Sequence, residues 1–84
     1  MLVNKLNVED QVLPEDLEEA NRLMAWGSYC IAQINYCLNR FNFDDTRDWT
    51  LEHQRSVNDL KHLQFKKFES ERIDFDEKNY TFRN

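Results

Sequence analysis

The chain has 84 residues, 40% of them apolar, 13% aromatic and 32% charged. That length holds one domain with a thin core, and the aromatic content is too high for a disordered chain. With 11 basic against 16 acidic residues the net charge is −5, which disfavours direct binding to phosphate backbones and to anionic membrane surfaces. One Gly and one Pro exclude a Gly-rich phosphate loop and, since turns draw on both residues, favour long helices over a many-stranded fold.

Residues 1–13 read as an N-terminal arm. MLVNKLNVEDQV lacks the basic start and apolar block of a signal peptide, so the cytoplasm is the expected location. Leu2, Leu6 and Val8 partly alternate with polar residues, which predicts an extended arm or a short strand. Leu13-Pro14-Glu15-Asp16 then starts a helix, because proline is tolerated at the first helical position. Glu15, Asp16, Glu18 and Glu19 complement the positive end of its macrodipole. No breaker follows until Phe41-Asn42-Phe43-Asp44-Asp45, so the first helix is expected over 14–40, about 40 Å long at 1.5 Å per residue. Leu17, Ala20, Met24, Gly27, Ile31, Ile34, Leu38 and Phe41 recur at alternating spacings of three and four. That is the seam of one helix packed along another, with Gly27 placed where a neighbour comes close.

Residues 41–48 read as a short polar loop. Asp48 and Thr50 are plausible caps for a second helix over 49–72. In that helix Trp49, His53, Val57, Leu60, Leu63, Phe68 and Phe75 share one face. A short loop favours antiparallel neighbours. Folding about Asp44 sets Phe41 against Trp49, Ile34 against Val57, Ile31 against Leu60 and Met24 against Phe68. It also brings Glu15–Glu19 beside Lys66, Lys67 and Arg72. The tail, 73–84, alternates at Ile73/Phe75 and Tyr80/Phe82, which predicts an extended or hairpin segment. The expected fold is therefore mainly α, an antiparallel two-helix hairpin that forms a four-helix bundle as a dimer, with short extended or β segments at the termini.

Leu23 to Leu38 contains no charged residue. The stretch is too short and too interrupted by Ser28, Gln33 and Asn35 to cross a bilayer. A helix apolar on most of its circumference is buried on most of it, and one hairpin partner covers only one side. The terminal segments, a second copy of the chain or a different protein must cover the rest. Self-association is the leading expectation, because small helical hairpins usually complete their core that way.

Chemistry is sparse. Cys30 and Cys37 lie about 10 Å apart along one helix, too far for a mutual disulfide, and read as reduced apolar side chains. The expected rungs set Cys30 opposite His62 and Cys37 opposite His53, the raw material of a zinc site shared across a symmetric dimer. No sequence motif supports that set, so no metal or cofactor is expected, and a Cys–His nucleophilic dyad lacks a cleft and an oxyanion hole. Asp59 and His62 form one imperfect copy of a di-metal motif that needs two. Lys61–Phe68 interleaves bases with aromatics as nucleic-acid surfaces do, but those bases already have acidic partners. The sequence therefore points to a non-catalytic interaction protein. It would be a small acidic adaptor or inhibitor that occludes a larger protein, including one that handles nucleic acid. Trp26, Tyr29 and Tyr36 would make the contact, and Glu15, Glu18 and Glu19 would supply steering or phosphate mimicry. A structural subunit that acts through self-association is the alternative, and a Cys/His metal-binding bundle a weaker one.

Overall fold

The computed structural model describes the backbone of residues 7–83 and the side chains of 7–72. Two helices pack against each other: α1, Leu17–Asn39, and α2, Phe43–Arg83. The architecture is a mainly α, antiparallel helical hairpin, as the spacing of the apolar residues implies. Two short 3₁₀ turns, Val8–Asp10 and Pro14–Asp16, lead into α1, so Pro14 sits in the turn before the helix proper. Of the extended arm expected at Leu2, Leu6 and Val8, the first two lie outside the described residues, and Val8 opens a 3₁₀ turn closed by the Gln11 N–H donating to its carbonyl. The side chains of Ile73, Phe75, Tyr80 and Phe82 also lie outside the described residues, although the backbone over 73–83 continues as helix.

The turn is tighter than the sequence suggests, and this resets the register. Phe41 adopts φ 60, a left-handed conformation usually left to glycine. Its N–H donates to the Leu38 carbonyl at 3.1 Å, and the Asn42 N–H donates to the Cys37 carbonyl at 2.9 Å. This pair of bonds is the Schellman closure of a helix C-terminus. Asn42 then caps α2. Its Oδ1 accepts from the Asp45 N–H at 3.1 Å, which satisfies one free N–H of the helix start, and its Nδ2 donates to Asp45 Oδ2 at 2.7 Å, which holds the capping side chain in place. The expected loop over 41–48 is thus mostly helix. Thr50, expected as a cap, instead donates back to the Thr46 carbonyl at 2.8 Å from inside α2.

With α2 starting six residues early, its partner positions slide. Under the expected rungs Gly27 would face Gln64. It faces Ser56 instead, eight positions nearer the turn and about 12 Å along the axis. The seam of α1 is also turned. Ala20 and Gly27 are buried as expected, and Leu17 and Ile34 partly so. Met24, Ile31, Leu38 and Phe41 are exposed, while Leu23, Cys30 and Cys37 take the inward positions. On α2, Ser56 is buried, Trp49, His53, Leu60 and Leu63 are half-buried, and Val57 and Phe68 are exposed.

Small residues dominate this seam. The Ser56 hydroxyl donates to the Leu23 carbonyl at 2.8 Å, a bond that needs the two backbones close together. Gly27 lies opposite Ser56, where a Cβ would just reach van der Waals contact with Ser56 Oγ at 3.4 Å, so a side chain larger than alanine's has no room. At the far end the arm folds across both helices. Val12 is only 2% exposed, and Gln64 Nε2 donates to Gln11 Oε1 at 2.8 Å. There Lys66 Nζ lies 2.8 Å from Asp16 Oδ2, so the acidic start of α1 meets a base of α2 as charge patterning predicts.

Candidate functional site

Trp26 and Tyr29 stand three residues apart on α1, so they project from neighbouring turns of one flank. Their rings stack with centroids 5.6 Å apart and planes 22° apart. Trp49 of α2 completes the group, 5.6 Å from Tyr29 in an edge-on arrangement and 6.0 Å from Trp26. These separations are those of favourable aromatic pairs. The cluster is not sealed: Trp26 is 40% and Tyr29 49% exposed. Together with Arg22 and Ala25 the three rings line an open hollow of about 570 Å³.

The sequence marks Trp26, Tyr29 and Tyr36 as one contact surface; Trp26 and Tyr29 meet in the cluster, and Tyr36 stands two turns further along α1 on the Tyr29 side. Tyr36 carries the Arg40 guanidinium 5.2 Å above its ring centre. Glu15 and Glu18 are exposed at the start of α1, two turns or more from Trp26. Glu19 is engaged locally: Arg22 Nε donates to its Oε1 at 2.9 Å. That hydrogen bond, with the guanidinium charge, holds the Glu19 carboxyl below the usual carboxylate range.

The acids beside the aromatic cluster are others. Asp45, Asp48 and Glu52 line a second hollow together with Trp49. Their spacing of three and four around Trp49 was readable in the sequence, but assigning Asp45 to a turn and Asp48 to a cap hid it. Trp49 itself was assigned to the seam.

The cysteines sit on the inner side. Both are free and buried, and burial, with the negative field of Glu52, pushes the Cys30 thiol up. That is the wrong direction for a thiolate nucleophile or ligand. The Cys30–His62 and Cys37–His53 rungs belonged to the register that the tight turn replaces, and His62 is exposed on α2. Among the described residues no group of three or more His, Cys, Asp or Glu is placed to hold a metal ion. Among them, too, no helix is long and apolar enough to cross a membrane.

No protein-family model, curated protein or solved structure matches the chain.

Proposed function

We propose that this hairpin is a non-catalytic interaction module, an acidic helical adaptor or inhibitor that binds a larger protein through its aromatic flank and occludes that protein's surface. One observation carries the reading. Around Leu23 the seam is filled by small residues (Ala20, Gly27, Cys30, Ser56), while Trp26, Tyr29, Met24 and Ile31 remain exposed. Side chains of that size normally supply the core. Half-exposed Trp and Tyr are also the residues that dominate protein contacts. Two unpaired buried thiols fit a reducing cytoplasm.

Affinity capture from the source lysate tests this, with the wild type beside the Trp26→Ala/Tyr29→Ala double variant. The expected result is a partner retained by the wild type and lost by the variant, with matching circular dichroism spectra. Equal retention by both contradicts the reading.

Self-association is a second reading, favoured by the opposite flank. Met24, Ile31 and Leu38 form an exposed stripe on the uncharged length of α1, which meets its own copy without charge repulsion. A compact monomer of 10.3 kDa exposes about 5,400 Å², and this chain exposes 7290 Å². Part of the excess belongs to the end of α2 that runs beyond α1. A homodimer formed this way leaves the aromatic flank free. Sedimentation equilibrium of wild type and Ile31→Lys should show a dimer that the charge breaks, and a wild-type monomer at high concentration rules the dimer out.

A further inference from the structure

We infer that the aromatic flank docks an arginine-bearing basic segment of a protein, which rests on the interaction reading above and names the chemistry of its partner. The three rings lean on one another at 5.6–6.0 Å. The hollow they line is open to solvent, so a partner reaches the outer faces of the rings. An aromatic face attracts a cation held within about 6 Å of its centroid. The molecule already makes this contact once within itself, between Arg40 and Tyr36 at 5.2 Å.

The charges around the rings select the same kind of group. Asp45, Asp48 and Glu52 open into one hollow with Trp49. Asp45 is occupied by Asn42, and Glu52 faces Arg55 at 3.2 Å, an exposed pair that is easily exchanged. Asp48 makes no ion pair among the described residues. Arg22, at the other end of the aromatic hollow, is matched by Glu19. A guanidinium can therefore lie on Trp49, the ring that lines both hollows and that Tyr29 backs edge-on, while its donors reach Asp48 and Glu52. An ammonium on a flexible stem cannot make both contacts as well. The net charge of −5 steers a basic partner toward the molecule. It also repels nucleic acid and anionic lipid, and a second copy on this flank would bring the same acids against themselves.

The test is a titration of the full chain with a blocked Gly/Ser peptide carrying three arginines. The readout is the NMR shifts of the Trp26 and Trp49 indole N–H groups. Saturable shifts of both are expected, with none from the same peptide carrying neutral citrulline in place of arginine. Lysine in place of arginine should weaken binding about three-fold, as should Tyr29→Leu. Asp48→Asn with Glu52→Gln, two exposed changes that leave the seam intact, should weaken it about five-fold. Glu15→Gln with Glu18→Gln should change it less than two-fold. Equal binding of the citrulline peptide, or equal loss from the remote Glu15/Glu18 pair, overturns the assignment. If the arginine peptide fails while a captured partner still depends on Trp26 and Tyr29, this assignment falls and the interaction reading stands. If Trp26→Ala/Tyr29→Ala alters neither, both fall.

Discussion

Along one flank of the hairpin, Met24, Ile31 and Leu38 stand aliphatic and uncharged, with Val57 exposed beside them. Along the other, Trp26 and Tyr29 lean on Trp49 among Asp45, Asp48 and Glu52. Both flanks hang on one narrow seam of small residues, closed by the Ser56–Leu23 hydrogen bond. The difference between them is chemical. The aliphatic flank carries nothing that discriminates partners by charge and suits a copy of itself. The aromatic flank carries ring faces and carboxylates, which do discriminate. Because neither flank supplies the seam, each can be altered with the hairpin still standing.

The largest expected effect comes from the seam, which holds both flanks in place. Leu23→Ala, at a buried site beside the α1–α2 hydrogen bond, should cost about 3 kcal/mol in urea unfolding. Gly27→Leu should cost about 2 kcal/mol, because the new side chain would start 3.4 Å from Ser56 Oγ and wedge the helices apart. Losing less than about 0.5 kcal/mol there would mean that the helices do not approach as closely as described. At the turn the sign reverses. Phe41→Gly should stabilise the chain by about 0.5–1 kcal/mol, since it relieves a left-handed aromatic residue that is 78% exposed. A destabilised variant would show that the Phe41 ring, 6.3 Å from that of Phe43, supports the fold.

The smallest effect is a pH dependence. Burial raises the Cys30 thiol above its ordinary value of 9.0, so the folded chain keeps that proton longer than the unfolded chain does. Its contribution is complete below pH 9.0 and is lost as the pH rises through the folded value. Urea midpoints should therefore fall less between pH 8 and about 10.5 for Cys30→Ala than for the wild type. Parallel falls would remove the thiol from the account.

The hairpin and its antiparallel sense were legible because breakers are absent from 15–40 and charge patterning pairs the start of α1 with the later part of α2. Asp16 and Lys66 meet as that patterning implies. The register was not legible, because nothing in Phe41-Asn42 advertises a left-handed residue followed by a cap: phenylalanine rarely adopts positive φ. The side of α1 that turns inward was misread for a related reason. Apolar spacing ranks Met24, Ile31 and Leu38 as core, but helices close enough for a hydroxyl to reach a carbonyl admit the smaller Cys30 and Gly27 first. At the candidate site Trp26, Tyr29 and Tyr36 were found from their residue types, and the first two meet in one cluster. The acids around Trp49 were missed because that stretch looked like loop and cap, and Trp49 because its spacing placed it on the apolar face of the second helix.

The most direct test of the central claim sets Leu23→Ala beside Trp26→Ala in urea unfolding at one protein concentration. Tryptophan loses far more side chain than leucine does. If the narrow seam around Leu23 holds the hairpin and the aromatic residues face partners, Leu23→Ala should still cost at least twice as much, about 3 against about 1 kcal/mol. The reverse order, with Trp26→Ala the more damaging, would make the aromatic flank the core and contradict the account.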